Sequence, residues 1–331
     1  MSFLAVLLAL IMEQARPVAP GNVLHAGLRI WVRFASRNFD AGRAPHGWLT
    51  WAVAVAVPSV LAVALHHLFW MVHPVLAFIW NVAVLYLTLG FRQFSHHFTA
   101  IRDALDMGDE DQARAALAQW QQVDAGQLPR SEIVRHVIEH SVLAAHRHVF
   151  GVLSWYSVLA ALGLGPAGAV MYRLSGYAFR YWSHKSRQPG EGVSQPVLQA
   201  AGRAWAWIDY LPARMTAVAF AVVGSFEDAV DSWRQCAQAL AGTDLISVER
   251  NQAVVLAATA GAVNVRLGGS ALASARLDAQ EQPGPAALPA LSPGGRIPEL
   301  AHLRSVVGLV WRSVVLWMVL LALLTLARLL G

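Results

Sequence analysis

The sequence predicts an all-α, polytopic integral membrane protein with four to five transmembrane helices, joined by amphipathic or re-entrant helices. Three observations carry that expectation. Of 331 residues, 56% are hydrophobic and only 14% charged, whereas soluble domains carry about 25% charged residues. Several apolar stretches approach the roughly 20 residues a membrane helix needs. No segment alternates apolar and polar residues as a half-buried strand would. The same composition excludes a disordered chain, which would be poor in apolar residues and rich in charge. Cys236 is the one cysteine, so a disulfide scaffold is excluded as well.

Taken in order, residues 2–12 are apolar but short, and Glu13 ends them. They lack a basic start and a small-residue cleavage site, which argues against a cleaved signal peptide. Residues 48–72 form the first expected span, interrupted only by His66 and His67, and residues 74–91 the second, with a hairpin turning at His73-Pro74. Residues 92–122 carry Phe98, Ile101, Leu105, Leu117 and Trp120 at helical spacing, which predicts two helices around an acidic corner at 106–111. Residues 149–172 are a third expected span. Residues 205–223 are apolar apart from Asp209 and Arg214, charges that lipid would not tolerate unless they face protein or water. They read as a buried or re-entrant helix, with a full span as the alternative.

Ser225, followed by Glu227 and Asp228, marks a helix start for residues 225–241. Residues 253–265 form a small-residue helix with Asn251 at its head. Prolines and glycines make residues 273–298 a linker. Residues 306–330 are the clearest span, with Arg312 and Arg328 near its ends where long cations can snorkel. Trp48, Trp51, Trp70, Trp80, Trp155, Trp311 and Trp317 sit mostly near the ends of these segments, as an interfacial belt would place them. The expected organisation is therefore a membrane hairpin in 1–91, a polar cytoplasmic segment in 92–148, membrane or re-entrant helices in 149–272, the linker, and a last span in 299–331.

The net charge is +5, and Lys185 is the only lysine. No arginine-rich run or basic-aromatic module occurs, so nucleic acid is not an expected partner; the lipid bilayer is. Loop charges conflict, however. Arg29, Arg33, Arg37 and Arg43 ask for one face to be cytoplasmic. If residues 149–172 cross, the basic stretch from Arg173 through Arg180, Lys185 and Arg187 to Arg203 falls on the other face.

Four local motifs bear on chemistry. His136-Val137-Ile138-Glu139-His140 has the form of an inverted zinc-protease motif, with His136 and His140 one helical turn apart as candidate metal ligands. Against that stands an interfacial histidine cluster, because the rest of a metalloprotease is missing. Gly163-Leu164-Gly165-Pro166-Ala167-Gly168 matches a dinucleotide fingerprint but lies in an apolar segment, where glycines serve bends and close helix contacts. Asp209-Tyr210-Leu211-Pro212-Ala213-Arg214 places a carboxylate and a guanidinium beside a proline. Arg266-Leu267-Gly268-Gly269 places a guanidinium beside glycines, an arrangement that suits a phosphate or carboxylate. Helix capping and ion pairing are the alternative for both.

The last two motifs resemble the adenosylcobinamide-phosphate synthase family, CobD/CbiB, and its relative AmpE. The family's "PARLTA" string is similar to Pro212-Ala213-Arg214-Met215-Thr216-Ala217, and its late "N…VRLGG" string to Asn251 followed by Val265-Arg266-Leu267-Gly268-Gly269. The resemblance implies a synthase using Mg-ATP, a corrinoid acid and an amino-alcohol phosphate. Several expected acids are missing. Of the family's E-s-x-x-E-N-x-x-D segment only Glu139 remains, with Leu143, Ala144 and Arg147 at the other polar positions, and its N-T-x-D-S-M string is gone from 176–181. Because Mg²⁺ calls for carboxylates, these losses favour an AmpE-like, non-catalytic regulatory or ligand-sensing protein of the bacterial inner membrane. A divergent synthase of cobalamin biosynthesis is the alternative. Either way, Arg214 and Arg266 are expected to hold a small anionic ligand, with Glu139, Asn251 and Asp209 nearby; another membrane or periplasmic protein is the other expected partner.

Overall fold

The computed structural model describes residues 2–16, 23–90, 92–121, 125–187, 192–242, 244, 246–269, 291, 292 and 294–330. It is an all-α membrane protein, and the described residues contain no strand, only isolated bridges pairing Val265 with Arg296 and Leu267 with Leu291. The helices are α1 (Ser2–Ala15), α2 (Val23–Phe39), α3 (Ala44–Val72), α4 (Pro74–Thr88), α5 (Arg92–Asp106), α6 (Glu110–Gln121) and α7 (Arg130–Ala145). A π-turn, His146–Phe150, joins α7 to α8 (Gly151–Ala161). There follow α9 (Ala167–Lys185), α10 (Gln195–Val223), α11 (Phe226–Ala239), α12 (Val248–Ala262) and α13 (Leu300–Leu330).

Among the described residues three helices are long and apolar enough to cross a membrane: Ala44–Val72, Gln195–Val223 and Leu300–Ala327. The segment 205–223 is thus part of one long helix, and its full-span alternative stands by length and composition. The expected hairpin at His73-Pro74 forms. His73 leaves helical geometry, its backbone N–H closes α3 on Phe69, and its ring accepts from the Val75 amide to start α4. That second arm is short, 15 residues.

The third expected span does not form. Residues 149–172 break into the π-turn, α8, a turn at 162–166, and the start of α9. Gly163 and Gly165 take left-handed φ values of 81° and 56° at that turn, and Gly168 lies flush against the Trp155 carbonyl. The glycine string is therefore a hairpin corner and a close helix contact. α9 runs back antiparallel to α3: Gly165 faces His66, and Ser175 Oγ lies 3.4 Å from the Trp51 indole nitrogen. Arg173, Arg180 and Lys185 accordingly belong to a packed helix rather than to an external linker.

Among the described residues two large cores hold the helices, with a small third cluster of Ala217, Val254 and Ala258 between α10 and α12. The larger is centred on α7, whose Ile133, Val134, Val137, Ile138 and Val142 are fully buried against α5, α6, α12 and α13. Each such side chain contributes about 1.5–3 kcal/mol through burial, and Arg135, His136 and Ser141 of the same helix are buried with them. The smaller core joins α2, α3, α9 and the head of α10 through Val32, Val55, Trp182 and Val197. α5 and α6 meet at the acidic corner as expected. Ser225 stands at the start of α11, but its hydroxyl donates to the Asp228 carboxylate (2.6 Å) rather than capping the backbone. The linker 273–298 falls largely outside the described residues.

Proline inside a helix removes an amide and frees the carbonyl four residues earlier. Both internal prolines of the long helices are answered in one way. Pro58 frees the Ala54 carbonyl, which accepts from the Trp31 indole at 3.1 Å. Pro212 frees the Ile208 carbonyl, which accepts from the Trp155 indole at 2.8 Å. In lipid an orphaned carbonyl is costly, so these indoles make the internal prolines tolerable. Trp80 likewise donates to the Ala62 carbonyl, and Trp317 is buried, whereas Trp48 and Trp70 remain exposed near the two ends of α3 as a belt requires, and Trp311 is exposed well inside α13.

Candidate functional site

Asp209, expected beside a ligand, is committed inside the protein. Its Oδ1 accepts from the Tyr172 hydroxyl at 2.7 Å and lies 2.9 Å from His146 Nε2, while His146 Nδ1 lies 2.9 Å from Thr216 Oγ1. A neutral imidazole donating to the carboxylate and accepting from the hydroxyl satisfies all three groups. The order Thr–His–Asp has the connectivity of a hydrolytic triad. Thr216 and His146 are 0% and 1% exposed, so no substrate reaches the hydroxyl, and the chain is a structural knot between the π-turn, α9 and α10. The π-turn matters here because the extra residue in its turn re-aims His146, and such bulges recur at functional positions.

Beside this knot lies a group of cations that the sequence reading had assigned to other roles. Arg147 follows His146 in the π-turn, while Arg173 and Arg180 stand seven residues apart on one face of α9. Arg173 Nη1 lies 2.8 Å from His148 Nδ1, and Arg147 Nε donates to the Leu143 carbonyl at 3.0 Å. Arg180 makes no hydrogen bond or ion pair to any described residue. Arg173 and Arg180 line a cavity of about 430 Å³ walled by α2, α3, α4 and α9. The signal for this group was the i, i+7 spacing of two arginines in a mostly apolar helix, masked by counting them as loop charges.

The motif residues pair across elements. Arg214 stacks on the Tyr210 ring at 3.7 Å and donates to the Asn251 side-chain oxygen, while Asn251 Nδ2 donates to the Ala206 carbonyl at 2.8 Å. Glu139 Oε1 accepts from the Gly268 amide at 2.7 Å, and Arg135 bridges the Gly268 carbonyl and Glu132. Gly269 is left-handed (φ +104°) with the Arg135 guanidinium where a Cβ would project, so only glycine fits. Arg266 is exposed, its backbone paired with Arg296. The expected single anion site therefore divides: Arg214 and Asn251 sit at the head of α12, Glu139 and the Gly268 loop beyond its tail. About 16 Å of helix separates Asn251 from Ala262.

The histidine motif is also pulled apart. His136 Nδ1 lies 3.7 Å from Glu139 and its Nε2 4.0 Å from Glu132, while the His140 ring packs edge-on against Trp120 at 4.4 Å. Among the described residues no group of three or more His, Cys, Asp or Glu side chains could hold a metal ion.

Comparison with known proteins gives a consistent match. The CobD/Cbib protein family matches residues 2–290. A protein of Stutzerimonas stutzeri named "Cobalamin biosynthesis protein CobD" is 29% identical over 286 residues, 86% of this chain and 84% of that protein. One of the same name from Chromobacterium violaceum is 34% identical over 198 residues, 60% and 58% of the two chains. No solved structure matches. The expected lean towards AmpE and a non-catalytic regulatory role finds no support in these similarities, which favour the synthase side.

Proposed function

Because the chain belongs to the CobD/CbiB family, we propose that it acts in cobalamin biosynthesis, as a multi-pass protein of the bacterial inner membrane that joins a corrinoid acid to an amino-alcohol phosphate. The observation that carries this reading is the extent of the family match, which runs from α1 past the RLGG string and includes both retained motifs. Its local support is that these motifs are built into the packed helices. Arg214 is tied to Asn251 and Glu139 to the Gly268 amide, so α10, α12 and α7 are held in fixed register around them.

The family resemblance implies Mg-ATP. The donor set here suits the phosphates and not a protein-held metal. Asp209 and Glu13 are the buried carboxylates among the described residues, and Asp209 is already consumed by Tyr172 and His146. Guanidiniums, by contrast, are plentiful, and their planar forks match phosphoryl and carboxylate oxygens. The chemistry assigned to this chain is therefore binding and orienting: Arg214 takes an anionic group of the substrates, and the Gly268–Gly269 loop, braced by Glu139 and Arg135, fixes the position of Arg266, whose guanidinium takes a second. No step is assigned to the metal.

The test is an assay of detergent-purified protein supplied with adenosylcobyric acid, aminopropanol phosphate and Mg-ATP, with the amide product detected by mass. A CobD relative serves as the positive control. Product above background, reduced at least tenfold in Arg214→Ala, is the expected outcome. No product beside an active control overturns the reading.

A further inference from the structure

We infer that the cavity between α2, α3, α4 and α9 is a binding site for an anionic phospholipid of the surrounding bilayer. Its volume is about 430 Å³, and its lining divides by chemistry. Leu61, Leu65, Leu87 and Val170 make an apolar wall, and Arg173 and Arg180 stand together at one side with Tyr177 between them. Arg29 of α2 stands close to the Tyr177 hydroxyl, which brings another cation to the same side.

Three arguments identify the occupant. The first is where the cavity opens: Leu61 and Leu87, both on its lining, are 57% and 41% exposed on the outer apolar faces of α3 and α4. α3 is long and apolar enough to cross the membrane, so that mouth meets acyl chains rather than water.

The second is charge. Arginines at membrane depth must face protein, water or a counter-charge. Among the described residues the carboxylate whose charge reaches Arg147 and Arg180 is Asp209, and its hydrogen bonds go to Tyr172 and His146. Arg180 has no hydrogen-bonding or ionic partner among the described residues. A phosphodiester supplies the missing negative charge and accepts several guanidinium N–H bonds at once.

The third is shape. A free phosphate would leave the leucine wall empty, and a zwitterionic lipid, whose phosphodiester is already balanced by its own ammonium, would add a further cation beside the arginines. A ligand with an anionic head and an apolar tail fills both halves. This inference does not depend on the synthase reading, since none of these residues belongs to the motifs that carry it.

The test uses full-length protein in a neutral detergent. Thermal unfolding is followed while phosphatidylglycerol, phosphatidylcholine or inorganic phosphate is added. Phosphatidylglycerol should raise the midpoint by several degrees, with phosphatidylcholine and phosphate giving far less. Arg180→Gln should weaken the phosphatidylglycerol response about tenfold, as expected for a lost charge-assisted hydrogen bond. That variant removes one of three crowded like charges, so its fold is not at risk from a newly unpaired partner. Leu61→Trp alters an exposed side chain at the mouth and should block the tail, abolishing the response with the lipid-free midpoint unchanged. Equal responses to the two lipids overturn the proposal, as does a full response to phosphate alone or an undiminished response in both variants.

Discussion

Trp155 and Trp31 act through one atom each. Their indole N–H groups meet the carbonyls that Pro212 and Pro58 release, and without them two helices long enough to cross a membrane would carry an orphaned acceptor. Trp155→Phe keeps most of the apolar contact and removes the donor. It should destabilise the protein by about 1–3 kcal/mol, the usual penalty for an unsatisfied buried group. Trp207→Phe, on a side chain 63% exposed, should stay within about 0.5 kcal/mol. Unfolding midpoints of the two variants in one detergent check the difference. Cys236 offers a second residue-scale expectation. Burial pushes its thiol up to about 11, so at pH 8 little thiolate forms and a maleimide should label the native protein far more slowly than the denatured chain. The tryptophans were legible in the sequence as aromatic residues near apolar segments, but their partners were not. A belt position and a carbonyl-capping position have the same local pattern and differ only in what lies across the helix interface.

Elements joined through short polar contacts show where local pattern ran out. The hairpin of α3 and α4 was readable because Pro74 disfavours helical geometry at His73, in the middle of an apolar run. The hairpin of α8 and α9 was not, because glycines 163, 165 and 168 sit in a stretch apolar enough to pass for one span, and only the left-handed φ values of Gly163 and Gly165 reveal the turn. The join between α2 and α10 was equally hidden, since it pairs residues 154 positions apart. Asp40 Oδ1 accepts from the Ser194 hydroxyl at 2.6 Å and Oδ2 from the Ser194 amide at 2.9 Å, while the Gly42 amide adds a third bond at 3.0 Å. Burial alone would raise the Asp40 carboxyl, but these hydrogen bonds outweigh it and hold it below its ordinary value. The stability it contributes is therefore complete above the ordinary carboxylate range and is lost as pH falls through the depressed value. Asp40→Asn should lower the unfolding midpoint at pH 7 and shrink the wild-type advantage as pH drops from about 5 towards 3. Midpoints measured across that interval check it; a constant difference between variant and wild type would contradict the ionic origin of the join.

Across the whole molecule, the α8–α9 hairpin resolves the conflict that loop charges raised. Arg33 and Arg37 of α2 and Lys185 of α9 line one cavity of about 300 Å³ with Asp40. Gly47, near the start of α3, lies flush against Pro196, at the start of α10. The two basic segments that a crossing at 149–172 would have put on opposite faces therefore gather at one end of the molecule. His73 and the turn at 162–166 lie towards the other end, since Gly165 meets His66. Positive residues concentrate on the cytoplasmic side of membrane proteins, so the end carrying Arg33, Arg37, Arg43 and Lys185 is expected to face the cytoplasm. Single cysteines placed at Arg43, Ser186 and Met71 test this, all three native side chains being exposed and Cys236 silent to the reagent. A membrane-impermeant maleimide should label Arg43→Cys and Ser186→Cys only in inside-out vesicles, and Met71→Cys only in intact spheroplasts. Labelling of the first two from opposite faces would restore the crossing and break the hairpin. A common face for all three would mean that α3 does not span. The charge pattern alone reaches neither result, because the positive-inside rule counts loops, and which arginines lie in loops is decided by the fold.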